Sequence, residues 1–583
     1  MHVETSRTRH TRKDGTEVVY ERHLLRRSFR NEAGKPDKET LANLSMLPAG
    51  AIEAVRAVLA GKTLVDVADA ATGGLVIDRS LPHGHVAAVY AMAKKLGLPQ
   101  LLGPAGRQRD LALALVVSRV VRPKPKLSTL AWWNDVTLGA DLGVADASIA
   151  EVYAAMDWLG ARQDTIEAGL AARHLSDGGT DGMALFDLSS SWVEGSHCEL
   201  AKRGYSRDGK KGNPQIEYGL LTNPAGCPVS IRVFPGNTAD PKAFVEAVDT
   251  VRTRFGLARL VMVGDRGMIT SARVTAIKDD PDNLLGWITC LRAPAIAKLA
   301  TDDGPLQMTL FDTQDLAEIT HPDYPGERLV ACRNPALAIE RARKREDLLQ
   351  ATEALLAKAK TRVDGGALSG RDAIGVAVGK VINKHKMAKH FQPAITDTAL
   401  TWQRNQATID AEAALDGIYV IRAGRTHPGM SPDELVTAYK QLSNVERDFR
   451  SIKTTDLDIR PIHHYLTGRV QAHLFICMLA LYLTWHLRHA WAELTYTDQH
   501  PPTRDNPVAP ARRSTHADHK ATRHTTDHGQ PPHSFRGLID HLATLTRNTT
   551  TLAARTIDIL ATPTDTQRRA FHLIDTSIPL NLT

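Results

Sequence analysis

Between residues 183 and 291 the chain repeats one pattern: short apolar runs separated by turns, with two helical stretches set among the later ones. Met183-Ala184-Leu185-Phe186-Asp187-Leu188 is an apolar run broken by one carboxylate. Runs at 216–222 and 229–234 follow, divided by the turn Asn223-Pro224-Ala225-Gly226. Asp240-Pro241 predicts a helix reaching about residue 255, with Asp at the N-cap and Pro at the first helical position. Leu260-Val261-Met262-Val263 predicts a fourth strand ending at Gly264-Asp265. A helix over 271–279 and a fifth apolar run over 284–291 complete the pattern. Three strands as a meander, then helix, strand, helix, strand, predict a mixed sheet with helices packed on it, an α/β fold. Trp287, inside the fifth run, reads as core rather than as a base-stacking residue.

Two carboxylates stand out in this frame. Asp187 lies in an apolar strand, where a charge is costly to bury unless it is paired or bound to a metal. Asp265 closes the fourth strand between Gly264 and Arg266-Gly267, where glycine lets the backbone turn sharply. On neighbouring strands the two would converge at about metal-sharing distance. Either acid alone reads equally well as a turn-forming or capping Asp.

A third carboxylate comes from a later helix. Ser431-Pro432-Asp433-Glu434 is a capping box with proline at the first helical position. Leu442, Val445, Phe449 and Ile452 form its apolar stripe. Tyr439, Glu446 and Lys453 recur every seven residues as a polar stripe beside it. Glu446 can therefore border a site made by Asp187 and Asp265. Asp448 falls roughly 160° around the helix from Glu446 and is a poor substitute.

These residues resemble the DDE transposases of bacterial insertion sequences. That family's last helix carries Tyr, two residues, Arg, three residues, Glu, six residues, Lys. Tyr439, Glu446 and Lys453 stand at those spacings, and Leu442 stands where the family has Arg. Arg450 is the candidate replacement cation. Leu185-Phe186-Asp187, the segment Phe234-Pro235-Gly236-Asn237-Thr238-Ala239-Asp240, Gly264-Asp265-Arg266-Gly267 and Asp416-Gly417-Ile418-Tyr419-Val420 match as well. The resemblance implies a ribonuclease-H-like mixed sheet flanked by helices, interrupted by a large insertion and preceded by a helical N-terminal region. It implies that Asp187, Asp265 and Glu446 are catalytic and hold two Mg²⁺ ions, with Mn²⁺ able to substitute. Oxygen-only ligands favour these ions over zinc. It implies that Tyr439, Lys453 and Arg450 contact DNA. The implied partner is double-stranded DNA, both transposon ends and target, bound by a homodimer. Rival readings are a nuclease of the same core without strand transfer and a catalytically inactive DNA-binding derivative.

The rest of the chain divides around this core. Residues 1–40 are basic, with eight Lys/Arg against four acids in the first 30, and read either as a DNA-contacting arm or small module or as a solvated, partly ordered segment. Residues 41–178 read as a helical DNA-binding region, and 179–291 as the first part of the core. Residues 292–430 read as an insertion and 431–490 as the returning part of the core. Residues 499–533 hold six prolines and six histidines with Val508 as their only large aliphatic residue, and read as a disordered linker. Residues 534–583 read as a helical tail.

Charge and cysteine content bound the setting. The 72 basic against 65 acidic residues give a net charge of +7, which suits a polyanionic partner. Aromatic residues are only 5%, against a single-strand stacking surface. Five scattered cysteines form no Cys-x-x-Cys pair and fit a reducing compartment. The apolar run 474–485 is shorter than the about 20 residues a bilayer needs. The expectation is a bacterial cytoplasmic, nucleoid-associated protein without a membrane partner. A phosphate-binding loop is not expected: Gly375-Val376-Ala377-Val378-Gly379-Lys380-Val381 is one residue short and lacks the Ser/Thr.

Overall fold

A computed structural model describes residues 1–583 except 14–16, 31–34, 63–74, 176–181, 211, 258–259, 280–285, 302, 313, 425–429, 501, 527–528 and 553–554. Asp14, the start of the fifth apolar run and part of the expected N-terminal helical region thus lie outside the described residues. The chain forms two compact units, one of Met1–Ser80 with Arg547–Ala561, the other of Leu81–Thr546 with Thr562–Thr583.

In the first unit the basic N-terminus is a β-meander, a small module and not an extended arm. Strands β1 (His2–Thr11), β2 (Glu17–Arg30) and β3 (Pro36–Asn43) pair antiparallel in that order. Most of their residues are exposed, so neither face needs an apolar alternation, and the usual strand signal is missing. Ion pairs across the strands replace it. Arg7 stands directly opposite Glu21 at 2.5 Å, and Arg27 opposite Glu39 at 2.8 Å. Arg26 and Lys38 both reach Glu4 at 3.1 Å. Helix α1 (Ala49–Leu59) follows, and then β4 (Leu75–Pro82). The expected helical tail contributes a hairpin of Thr546–Leu552 and Arg555–Leu560 that pairs with β4.

The second unit opens with helices, among them α2 (Gly84–Lys95), α3 (Arg107–Val121), α4 (Ile149–Gly160) and α5 (Gln163–His174). An eight-stranded sheet comes next. Its central strands are β5 (Gly182–Trp192), β6 (Gln215–Thr222), β7 (Pro228–Pro235), β8 (Leu260–Val263) and β9 (Gly286–Cys290). Strand β5 pairs antiparallel with β6 and parallel with β8, and β8 runs parallel with β9. Between them lie α6 (Asp240–Asp249) and α7 (Ser271–Asp279). The mixed α/β arrangement expected for 183–291 is present, and Trp287 is buried in it.

The segment 292–430 is only in part an insertion. Its strands β10 (Leu316–Ile319), β11 (Arg328–Arg333) and β14 (Ile418–Ala423) extend the same sheet in the order β10-β11-β14-β9. The excursion proper consists of α8 (Pro335–Asp364), α9 (Arg371–Lys384), the hairpin β12 (Phe391–Ile395) with β13 (Leu400–Arg404), and a short helix at 406–413. Leu349, Leu356, Ile374, Val378, Phe391 and Leu400 give it a small core of its own. Because β14 is separated in sequence from β11 by that whole excursion, their pairing has no local signal.

The helix begun by Ser431 runs as α10 (Pro432–Lys440) and α11 (Leu442–Arg450), interrupted at Gln441 and widening to a π-turn over Ser451–Thr455. The expected capping box is formed, with Ser431 Oγ accepting from the Glu434 N–H. Helix α12 (Thr467–Ala490) is buried nearly all round against α3, α4 and β7. It is the one helix among the described residues long and apolar enough to cross a membrane, and 83% of its apolar window is buried inside the protein.

Among its described residues, the segment 499–533 carries a helix and buried side chains where a disordered linker is expected. Val508 and Ala517 are buried, and α13 (Thr515–Arg523) is capped by Ser514. The buried Lys520 Nζ donates to the carbonyls of Ala492, Thr495 and Thr497 at 2.7–2.8 Å. An ammonium with three donors and three carbonyls does here what apolar contacts do elsewhere, so composition carries no sign of it. Two helices, α14 (Phe535–Ala543) and α15 (Asp565–Leu573), complete this unit. Lys520→Met keeps the aliphatic stem and removes the donors. It should cost about 1–3 kcal/mol in thermal unfolding and bring early proteolytic cuts to 498–523, a segment the wild-type chain should protect.

Candidate active site

Strand pairing brings the two strand acids level. Leu185 on β5 pairs with Val263 on β8 in parallel register, so two residues further along each strand lead to Asp187 and Asp265. Asp187 is held from below by its neighbour: the Phe186 ring lies over Gly219 on β6, where an added Cβ would sit 2.5 Å from the ring. Only glycine leaves room for that close approach. Asp187 Oδ1 accepts from the Leu188 N–H at 2.8 Å, and Asp265 Oδ1 accepts from the Gly267 N–H at 2.7 Å.

Glu446 reaches the same place from α11. Val445, Phe449 and Ile452 are buried, with Phe449 meeting the Tyr218 ring of β6 edge-on at 5.8 Å. That packing leaves Glu446 exposed beside the strand carrying Asp187. Burial pushes the Asp187 carboxyl up to about 7, and the charges of Asp265 and Glu446 add to the shift. The three acids therefore form one electrostatic group.

The polar stripe is otherwise dispersed. Tyr439 sits against Cys290 and near Asp265, and burial raises its hydroxyl pKa. Lys453, in the π-turn, donates to Asp208 Oδ1 at 2.8 Å, and Arg460 reaches the same oxygen at 2.6 Å. Burial lowers the Lys453 pKa, with Asp208 opposing the shift. Arg450 is exposed and makes no side-chain hydrogen bond or ion pair among the described residues. The turn at Gln441 and the wider π-turn rotate these positions away from a straight-helix stripe.

The cation that acts on Asp187 is Arg207, from the loop between β5 and β6. Its backbone N–H donates to Ser190 Oγ at 3.0 Å, and its guanidinium reaches Asp240 at 2.7 Å and Glu217 at 3.6 Å. Asp240 is not the N-cap expected from Asp240-Pro241. Ala239 holds that position, and Asp240 begins the helix with its carboxylate drawn to Arg207. Arg207, Glu217, Asp240 and Asp265 line a cavity of about 440 Å³. Sequence reasoning missed Arg207, Asp208 and Glu217. Glu217 carries the same signal as Asp187, a carboxylate set in an apolar strand. Arg207 and Asp208 lie in an irregular loop and give no such signal.

A family profile described as "Transposase DDE domain" matches residues 186–483, slightly over half of the chain. The matched span begins at the residue before Asp187 and contains Asp265 and Glu446. The chain belongs to the DDE transposase family. A search of curated proteins gave no match. The family implies an enzyme acting on DNA with divalent metal ions, and the large mixed sheet with its many helices fits a DDE domain.

Beside this group of acids, Glu217 has a testable titration. It is buried against Arg207 and Asp240, and burial pushes its carboxyl from 4.5 up to about 7. The folded chain thus holds a proton that the unfolded chain releases near 4.5. The associated stability is complete below that pH and is lost as pH rises through about 7. Glu217→Gln abolishes the titration, so the melting temperature of the variant minus that of wild type should increase from about pH 5 to about pH 8.5.

Proposed function

We propose that this DDE protein is an insertion-sequence transposase. It binds the double-stranded ends of its element, cleaves them and joins the freed 3′-hydroxyls to target DNA, on a ribonuclease-H-like core. The observation that carries this reading is the convergence of Asp187, Asp265 and Glu446 from two adjacent strands and one helix, with the Asp187 carboxyl pushed up by burial and by the other two acids. Such a group is short of positive charge and offers oxygen donors alone, which fits two Mg²⁺ ions or Mn²⁺ in their place. When bound, the ions supply Lewis-acid chemistry, activating the attacking oxygen and stabilising the leaving one.

The side chains of the chain itself bind and orient. Asp187, Asp265 and Glu446 would hold the ions, and the ions would in turn receive the scissile phosphate that the carboxylates alone repel. Arg207 balances part of the acids' charge and borders the cavity that would receive the flanking nucleotide. Tyr439 and Lys453 border the cleaved strand. Asp208 occupies one Lys453 donor and leaves the others for a phosphate. Arg450 adds an exposed cation on the same helix. Strand transfer exchanges one phosphodiester for another, so the reaction calls for no nucleotide hydrolysis. Two copies would bring two ends together, at the nucleoid of a bacterial cytoplasm.

Asp187→Asn, Asp265→Asn and Glu446→Gln should each bind an end-containing duplex as wild type does in a gel shift. Each should lose cleavage in Mg²⁺ by more than about 100-fold, since even partners of metal ligands are worth about 10–100-fold. Lys453→Ala should be intermediate and need more DNA. Normal cleavage by Glu446→Gln would remove the helix acid from the site. Cleavage by wild type with no joined product would favour a nuclease without strand transfer.

The N-terminal sheet is the proposed site of sequence-independent phosphate binding. Arg7, Arg26 and Arg27 are engaged by acids, whereas Arg9, Arg12 and Arg22 are exposed. Replacing these last three with alanine should weaken binding to all duplexes alike. It should also flatten the log–log salt dependence by about one unit for each phosphate no longer neutralised.

A further inference from the structure

The β6–β7 turn lies away from the three acids, at the end of β6 that pairs with the start of β5 through Leu185 and Thr222. It is held rigidly. The Cys227 N–H donates to Asn223 Oδ1 at 2.8 Å, Asn444 Nδ2 on α11 donates to the Pro224 carbonyl at 2.9 Å, and Gly226 adopts a φ of +89°. This places the fully buried Cys227 thiol between two histidines from different helices. His174 ends α5, and His486 lies near the end of α12. Cys227 Sγ is 3.9 Å from His486 Nε2, and one ligand atom from each of the three residues lies within 4.8 Å of the others.

Neither imidazole is placed to be charged. Burial lowers the pKa of His174, and pushes that of His486 down to about 4 with His174, His489 and Lys95 contributing. His174 Nε2 also meets the Tyr482 hydroxyl at 3.0 Å, a hydrogen bond that orients this ring beside Cys227. Burial raises the Cys227 thiol, with the Asp448 charge adding to the shift, so it gives up its proton only to a strong Lewis acid. Asp448 supplies an independent sign of a missing partner. It is 7% exposed, and its Oδ2 is buried with no hydrogen-bond partner among the described residues. That oxygen is 3.3 Å from the position a Cβ on Gly226 would take, immediately beside Cys227. A buried carboxylate oxygen without a donor next to an apolar turn is costly.

We propose that His174, Cys227 and His486 bind a zinc ion, whose fourth position holds a water hydrogen-bonded to Asp448. One thiolate and two neutral imidazoles suit the borderline-soft, tetrahedral Zn²⁺ and not the oxygen-seeking ions of the acid cluster. Zn–S near 2.3 Å and Zn–N near 2.0–2.1 Å put the donors about 3.3–3.6 Å apart. From separations of 3.9 Å for Cys227 Sγ to His486 Nε2 and no more than 4.8 Å for the others, this needs side-chain closure of at most about 1.5 Å. Binding releases the Cys227 proton to solvent, and the thiolate offsets one of the ion's two charges; burial holds the Asp448 carboxyl well above its ordinary pKa, so it meets the bound water as a neutral acid. The ion would tie the β6–β7 turn to α5 and α12, bracing the strands beside Asp187. The proposal does not rest on the transposase reading.

The test is zinc content and cobalt spectroscopy on the purified full chain. After exposure to zinc and passage through a weak chelator, wild type and Asp187→Asn should both retain stoichiometric zinc by plasma mass spectrometry. Cys227→Ser and His486→Asn should lose it, and Cys198→Ser should keep it. Cobalt added to metal-free wild type should give a thiolate charge-transfer band and tetrahedral visible bands, both absent in Cys227→Ser. Asp448→Asn should weaken zinc binding about tenfold. Circular dichroism separates a lost site from a lost fold, and the wild-type cobalt spectrum needs no variant. Wild type that retains no zinc and gives no thiolate band, or Cys227→Ser that keeps full zinc, would overturn the proposal.

Discussion

Mutual repulsion among Asp187, Asp265 and Glu446 is the constraint on which the architecture turns. Three carboxylates at one edge of a sheet, one of them largely buried, do not gather spontaneously. Each must be held by something whose burial outweighs the electrostatic penalty. The sheet supplies this for the two aspartates through parallel register and through the Phe186 ring over Gly219. Helix α11 supplies it for Glu446, whose neighbours Val445 and Phe449 are committed to the core. The acids are thus placed by apolar packing of residues close to each of them in the chain.

Around the cluster, charges are arranged in a graded way. Arg207 stands close enough to lower the Asp187 pKa but is engaged by Asp240 and Glu217. It tempers the negative potential without neutralising it, as the proposed binding of cations by the acids requires. Lys453 and Arg460 converge on Asp208, so the basic groups nearest the site are also pre-oriented by a carboxylate. Fixed ion pairs of this sort keep long side chains in one geometry, which lowers the entropic cost of any further contact they make.

Polar anchors hold the regions that apolar packing does not reach. Lys520 binds three carbonyls where a chain poor in aliphatic residues has little else to pack. In the N-terminal sheet, directly opposed Arg–Glu pairs replace a buried face. Composition marks the first region as unstructured and the second as simply basic, because it counts apolar side chains and does not see which polar groups will meet.

The sequence by itself determined the elements whose signal is local. The apolar runs of β5 to β8, the Ser431 capping box and the amphipathic stripe of α11 all follow from side chains within a few residues of one another. With the spacing of Tyr439, Glu446 and Lys453 they are enough to nominate the three acids and the family. Only the tertiary structure decided what depends on residues far apart in the chain. It placed β10, β11 and β14 in the main sheet across a long excursion, and made Arg207 rather than Arg450 the cation acting on Asp187. It turned Asp240 from a helix cap into a guanidinium partner and brought Cys227 to two histidines. The physical reason is range: hydrophobic periodicity and capping are encoded within a turn or two, whereas register, ion pairing and desolvation exist only once distant segments have met.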